Sequence, residues 1–414
     1  MKVRIYRGTE EIGGSCVEII AENNKKLWID LGLPLSEVNP DVSYRFNDLD
    51  ALLISHPHSD HFGLMESVGP NVPVYIGSVS LGLINATRRF LNQPGPACNF
   101  QTFKAWKPFR IADTFTIHPF LVDHSSPEGY AFIVEADGKR LFYTGDFRST
   151  GRKGKVYTNM LKRPPTGIDI MLTEGTLVER DKQEFPTEKQ VEAEITKIIA
   201  GQENMTFVIS SAQNLDRFCS VFTACLKHKK KLIIDIYTAL VLEVVSKNSP
   251  KLPTVRSELI RVYSESQIDK IQEDEFTELR ALIADKKPGN DIFFHPEDYV
   301  YFLRCPNPKL IEKIRNNKPI NLIYSQWLGY LKDEQKYHAS KTINNLKDQN
   351  GINFRHIHTS GHATMEDIFE LTSAINPTRI IPIHTNNPAK FREYFIAKGV
   401  NNVECWKDGV VEKV

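Results

Sequence analysis

Ala51-Leu52-Leu53-Ile54-Ser55-His56-Pro57-His58-Ser59-Asp60-His61-Phe62-Gly63 is the stretch that decides the fold. Four apolar residues run without a break, as in a strand buried on both faces, and polar residues follow at once. His56 and His58 alternate along an extended segment, so both rings can face one ion. Asp60 and His61 follow after the chain turns and can face a second. Imidazole nitrogens and carboxylate oxygens are what Zn²⁺ takes, and Mn²⁺ accepts the same set with more oxygen character. A lone histidine is usually a surface or satisfied core residue; four such groups in six residues, directly behind a buried strand, read as a metal site.

Outward from this stretch, the first third is short strands and tight turns. Val17–Ile20 and Lys26–Asp30 flank a polar turn, and Tyr130–Glu135 and Arg140–Thr144 flank Asp137-Gly138, two hairpin signals. Asp123-His124 and Thr144-Gly145-Asp146 supply two further candidate ligands, His124 and Asp146. A carboxylate leaving a strand at a glycine turn is well placed to bridge two metals. Ile168–Thr173 reads as another buried strand. From about residue 186 the texture changes. Pro186-Thr187-Glu188 opens a helix, with Val191, Ile195, Ile198 and Ile199 at helical spacing. Strands and helices then alternate to about residue 350, as in a parallel α/β unit. Within that unit the acidic segment Glu265–Glu278 reads as a solvated helix face. Short strands return at Asn353–His358, Arg379–Ile383 and Val403–Lys407, with a helix over Met365–Ala374. The change and its reversal predict one domain inserted into another: residues 1–185 and 352–414 form the first, 186–351 the second.

The chain has 414 residues, 41% hydrophobic and 25% charged, which excludes disorder and fibrous repeats as the main architecture. Lys plus Arg number 52 and Asp plus Glu 51, so the net charge of +1 gives no global steer toward nucleic acid or membrane. The six cysteines are scattered without a CxxC pair, and the first residues hold no apolar leader. A reduced, cytoplasmic chain with no membrane partner is expected.

In order, Asp30, the HxHxDH of residues 56–61, His124 and Asp146 resemble the motifs of the metallo-β-lactamase superfamily. Three later segments resemble motifs A, B and C of its β-CASP nuclease branch, which includes ribonuclease J. They are Leu172-Thr173-Glu174, Thr359-Ser360-Gly361-His362-Ala363 and Ile381-Pro382-Ile383-His384. The resemblance implies an α/β fold, a metallo-β-lactamase αβ/βα sandwich carrying an inserted β-CASP α/β domain. It implies two Zn²⁺, or Mn²⁺ in their place. His56, His58 and His124 would hold one ion, Asp60, His61 and His384 the other, with Asp146 bridging and Asp30 fixing a ligand histidine from behind. Asp60 would orient the attacking hydroxide, and His362, held by Glu174, would serve the leaving oxygen. Histidine in motif C goes with RNA substrates in that branch. Asn214 and Arg217 resemble a Ser-Asn-x-x-Arg segment of ribonuclease J, with Gln213 where that family has Ser. The chain stops soon after motif C, so the C-terminal domain of full-length ribonuclease J enzymes is expected to be missing, which leaves a homodimer open.

The expected activity is hydrolysis of RNA phosphodiesters, single-stranded RNA preferred. A DNA nuclease of the same branch and a small-molecule hydrolase (lactonase or thioesterase) stand as alternatives; the mode, exonuclease or endonuclease, is open. From Phe147 to Gly167 the chain carries Arg148, Arg152, Lys153, Lys155, Lys162 and Arg163 and no acid, a cationic loop beside Asp146 that would attract a phosphate backbone. Ser360, Gly361, Asn214, Arg217 and Arg148 are the candidate substrate contacts. Lys104, Lys107 and Arg110 with Trp106 form an aromatic-interleaved basic cluster.

Overall fold

The computed structural model describes residues 1–35, 48–180, 182–201, 204–263, 273–315, 318–332 and 338–414. The chain divides into two compact units. Met1–Ile84, Pro96–Glu184 and Gly361–Val414 form the first, Asn85–Gly95 and Phe185–Ser360 the second.

Two sheets make the first unit. One contains β1 (Lys2–Arg7), β2 (Cys16–Ile20), β3 (Lys26–Ile29), β4 (Ala51–Leu53), β5 (Pro73–Gly77), β6 (Asn99–Phe103) and β19 (Val411–Lys413), in the order β19-β1-β2-β3-β4-β5-β6. The other contains β7 (Phe109–Ile111), β8 (Phe115–Leu121), β9 (Tyr130–Ala136), β10 (Lys139–Tyr143), β11 (Ile170–Glu174) and β18 (Arg379–Ile383), in the order β18-β11-β10-β9-β8-β7. Side chains alternate between two cores, as the two-residue period of a strand requires. Leu27, Ile29 and Leu53 meet Tyr130, Phe132, Val134, Leu141, Tyr143, Ile170 and Leu172 in a core shared by the two sheets. On the outer face of the first sheet, Trp28, Leu52 and Ile54 pack with Met65 and Ile84. On the outer face of the second, Ala131, Ile133, Phe142 and Met171 pack with Tyr157, Met160, Ile368 and Phe391 from helices Gly154–Lys162, Met365–Ile375 and Pro388–Ala397. The layers run helix, sheet, sheet, helix: the αβ/βα sandwich. Burial on both faces is why these strands read as unbroken apolar runs.

The second unit is built on one all-parallel sheet. Its strands are β12 (Thr206–Ile209), β13 (Lys231–Asp235), β14 (Ile260–Tyr263), β15 (Tyr299–Leu303), β16 (Ile320–Tyr324) and β17 (Ile352–His356), in the order β14-β13-β15-β12-β16-β17. Its first helix, Glu188–Ala200, starts at a capping box: Thr187 accepts from the Gln190 amide while the Gln190 side chain accepts from the Thr187 amide. No described helix is long and apolar enough to cross a membrane.

Two expectations shift. The strand expected at 353–358 is β17, which pairs in parallel register with β16, Ile352 opposite Ile320 and His356 opposite Tyr324. The boundary on that side therefore falls after Ser360 rather than at 351/352, because backbone pairing assigns the strand to the second sheet. Val403–Lys407 makes only a single bridge, Val403 to Ile380, and the closing strand is β19 instead. Of the acidic segment 265–278, residues 265–272 lie outside the described residues; the remainder belongs to helix Glu273–Asp285.

Arg217 lies inside the second unit and is fully buried. Its Nε and Nη2 donate to Glu188 Oε1 and Oε2 at 2.8 and 3.2 Å, and Nη1 donates to the Ser325 carbonyl at 3.0 Å. Ser220 adds a hydroxyl to Glu188 at 3.0 Å. Removing one partner of such a pair strands the other's charge in a medium that cannot solvate it. Glu188→Ala is expected to lower stability by about 3–5 kcal/mol, read as a shifted midpoint in urea denaturation; an unchanged midpoint would contradict the assignment.

Candidate metal centre

Every candidate ligand follows the end of a strand. β4 ends at Leu53 and delivers His56, His58, Asp60 and His61; β8 leads to His124, β10 to Asp146 and β18 to His384. Two glycines make the approach feasible. Gly145, at φ +56°, turns the chain so closely that a Cβ there would sit 2.7 Å from the Tyr130 carbonyl. A Cβ on Gly32 would fall 1.7 Å from the Asp60 carbonyl oxygen, so only glycine lets residues 60–61 lie against that segment. His384 itself has φ 49° and Asp30 φ 58°, left-handed conformations uncommon outside glycine and found at over-determined functional positions.

The donor atoms converge. His56 Nε2 and His124 Nε2 lie 3.1 and 3.0 Å from His58 Nδ1. His61 Nε2 is 3.3 Å from Asp146 Oδ2, and His384 Nε2 is 3.3 Å from Asp60 Oδ2. Asp146 Oδ2 is also 3.8 Å from His56 Nε2, so it stands between the two groups. Within each of the sets His56/His58/His124, His56/His61/Asp146 and Asp60/His61/His384, one donor atom per residue lies within 4.8 Å of the others.

A layer behind these residues sets which nitrogen carries the lone pair. His124 Nδ1 donates to the Gly361 carbonyl at 2.7 Å. His61 Nδ1 donates to Asp30 Oδ2 at 2.8 Å. Ser55 Oγ donates to the same oxygen at 2.7 Å, which leaves it to accept from His56 Nδ1 at 3.0 Å. Thr176 Oγ1 lies 2.8 Å from His384 Nδ1. In His56 and His124, both held neutral, the outer nitrogen carries the hydrogen and Nε2 turns its lone pair inward. Asp30 takes further bonds from the Ser55 amide and the Tyr143 hydroxyl, each 2.7 Å.

The electrostatics follow. Burial, reinforced by neighbouring imidazoles, holds His56 and His124 well below the usual histidine range. Burial lowers His58 to about 4. Burial also opposes charge on His61, but Asp146, Asp60 and Asp30 outweigh it and raise it well above the ordinary value. Burial opposes ionisation of Asp60 and Asp146, yet the surrounding imidazoles hold both below the usual carboxylate range. Three neutral nitrogens thus point their lone pairs at one spot, where at most one proton, on His58, can bridge them. His61 Nε2 is buried without a hydrogen bond. Such a donor set fits divalent cations of the Zn²⁺ type.

His362 stands beside this cluster. Its Nδ1 is 3.0 Å from Glu174 Oε2 and 3.6 Å from Asp146 Oδ2. Glu174 is buried at the end of β11, and its other oxygen accepts from the Phe147 amide at 2.8 Å. Burial disfavours the charged ring, but Glu174 and Asp146 outweigh it and push His362 up to about 9.

The candidate substrate contacts are dispersed. Gly361 serves as acceptor for His124. Arg148 is buried and paired with Asp123 at 3.2 Å, not displayed to solvent. The basic run behind it is not a loop throughout: Gly154–Lys162 is a helix, which leaves Arg152, Lys155, Lys162 and Arg163 exposed and buries Tyr157 and Met160. Asn214, Arg217 and Ser360 belong to the second unit and are all buried. Asn214 caps helix Leu215–His228 by accepting from the Arg217 amide, and Arg217 is consumed by Glu188. Sequence reasoning missed Ser55, Tyr143 and Thr176. Single hydroxyls carry no spacing signal; only Ser55, adjacent to His56, lay close enough in the chain to be suspected.

Residues 31–208 match the family model described as a beta-lactamase superfamily domain. Residues 352–405 match the Zn-dependent metallo-hydrolase RNA specificity domain. The chain is 26% identical to ribonuclease J 1 of Streptococcus pyogenes over 88% of its own length and 64% of that protein's. It is 22% identical to ribonuclease J of Sinorhizobium meliloti, over 84% of this chain and 60% of that one. The chain thus spans somewhat under two thirds of those relatives. A solved structure of a protein of unknown function from Enterococcus faecalis superposes over 99% of both chains with TM-score 0.74 at 16% identity, which speaks to the fold.

Asp30 orients His61 and, through Ser55, His56. Asp30→Asn is expected to weaken Zn²⁺ binding about 10–100-fold with an unchanged circular dichroism spectrum, measured by competition against a chromophoric chelator. Unaltered affinity would mean that the layer behind the ligands does not tune them.

Proposed function

Because this chain belongs to the metallo-β-lactamase superfamily and is ribonuclease J-like over most of its length, we propose that it is a metal-dependent ribonuclease with a two-ion centre. The observation that carries the reading is the pairing of two donor groups across Asp146 with an acid-poised His362–Glu174 dyad beside them. The names of its relatives and of the RNA specificity domain favour RNA over other phosphodiesters.

His56, His58 and His124 would hold one ion, and Asp60, His61 and His384 the other, with Asp146 shared; Zn²⁺ is the expected metal and Mn²⁺ an alternative. When bound, the ions supply a water acidic enough to be hydroxide near neutral pH and offset charge growing on the phosphoryl oxygens. The protein's own groups do the rest. Asp60, more accessible than His61 and His384, orients the attacking oxygen in line with the departing one. His362, partly exposed and kept protonated by Glu174 and Asp146, gives a proton to the leaving sugar oxygen. Glu174 fixes the ring through Nδ1, so Nε2 is the nitrogen that serves that oxygen. Asp30, Ser55, Thr176 and the Gly361 carbonyl keep the imidazoles in one tautomer throughout.

Two variants test the reading. Asp60→Ala is expected to abolish Zn²⁺- or Mn²⁺-dependent cleavage of end-labelled RNA with the fold retained. His362→Ala is expected to slow cleavage by about 10²–10⁴-fold while the metal content stays that of the wild type. Substantial cleavage by Asp60→Ala, or loss of metal from His362→Ala, would overturn the corresponding role. Running linear and circular RNA beside matched DNA and a thioester separates endonuclease from exonuclease and RNA from the other substrates.

A further inference from the structure

Trp106 stands in the turn Lys104-Ala105-Trp106-Lys107, between β6 and β7 in the first unit. The turn is closed by the Lys107 amide donating to the Lys104 carbonyl at 3.3 Å. Trp106 occupies its third position with φ 65°, where such a turn ordinarily takes glycine or asparagine. A bulky residue there is strained. Burial does not offset that strain, because 56% of the residue is exposed. The ring is nevertheless held. Its amide donates to the Pro119 carbonyl at 2.8 Å. The indole meets Phe120 edge-on at 5.4 Å, and Phe120 in turn meets the fully buried Phe142 at 6.1 Å. A strained, half-bare indole braced against the core is arranged for contact outward.

Its surroundings select the partner. Lys104, Lys107 and Arg110 are all exposed. Arg110 is tethered to the Asp113 carbonyl, whereas neither lysine is held in an ion pair among the described residues. Asp113 is the nearby acid in sequence and is itself exposed. A flat aromatic face flanked by cations fits a base stacked on the indole with its phosphates on the lysines. Trp106 hangs on Pro119 of β8, the strand that leads to His124. Five residues of extended chain span at most about 16 Å, a few nucleotides of single strand.

Resting on the reading of RNA as substrate, we propose that Trp106, with Lys104 and Lys107, is a stacking platform for single-stranded RNA outside the metal centre. The test uses the full chain, freed of metal for binding and loaded with Zn²⁺ for cleavage, with a fluorescent single-stranded RNA of about 20 nucleotides; anisotropy is read over a salt series on the metal-free protein. Trp106→Gly removes the ring and relieves the strained φ, so its melting temperature should be unchanged or higher. Its RNA affinity should fall roughly 5–100-fold, the range expected for one stacked base. Trp106→Phe should recover most of that loss. Lys104→Ala combined with Lys107→Ala should flatten the slope of log affinity against log salt by about 1.4, two phosphates at about 0.7 each. Trp106→Gly that binds and cleaves RNA as the wild type does overturns the platform and leaves the ribonuclease reading intact. Wild-type protein that neither binds nor cleaves RNA overturns both. An abasic strand bound as tightly as the RNA also overturns it, because charge alone would then account for binding.

Discussion

Seven side chains from four strand ends aim their donor atoms into one buried volume that internal protons cannot satisfy. His56, His58 and His124 are neutral and face one another at about hydrogen-bonding distance with hardly a hydrogen to share. Asp60 and Asp146 are ionised where burial alone would protonate them. Polar groups left in such a state are expensive, and a divalent cation is the partner that relieves them together. The rest of the first unit can be understood as the means of holding this arrangement. Two sheets share a core and are sealed on their outer faces by helices, so the strand ends cannot drift. Behind the ligands, Asp30 gathers four hydrogen bonds, from His61, Ser55 twice and Tyr143, and so ties β3, β4 and β10 to one carboxylate.

The strained residues fit the same account. Asp30 and His384 both adopt positive φ, and both do so where the chain leaves a strand to meet the centre. The surrounding packing offsets that strain. Arg148 and Asp123 make the same point differently: a basic residue two positions after Asp146 is buried in an ion pair with the neighbour of His124, where it braces the loops.

Legibility in the sequence followed the strength of local signal. The run Ala51–Ile54 suits a strand buried on both faces, which β4 is, and the close spacing of His56, His58, Asp60 and His61 is a local signal for a shared site. The two hairpins around Asn23 and Asp137-Gly138 were plain from turn residues. His384 and His362 have no such local signature; their proximity to Asp146 depends on β18 pairing with β11, a contact across more than two hundred residues of chain. The boundary at Ser360 was missed because β17 looks like any short strand until its partner β16 is seen. Arg217 is a candidate contact through its resemblance to a Ser-Asn-x-x-Arg segment, and its pairing with the buried Glu188, distant in sequence, has no local signal. Ser55, Tyr143 and Thr176 were missed because one hydroxyl among many gives no pattern.

Metal stoichiometry tests the centre most directly at Asp146, which among the described residues is the carboxylate placed between both donor groups. Native mass spectrometry after Zn²⁺ loading and exhaustive desalting is expected to find two ions on the wild-type chain and at most one on Asp146→Ala, both proteins folded. A wild-type chain that retains no ion, or an Asp146→Ala chain that still holds two, would contradict it.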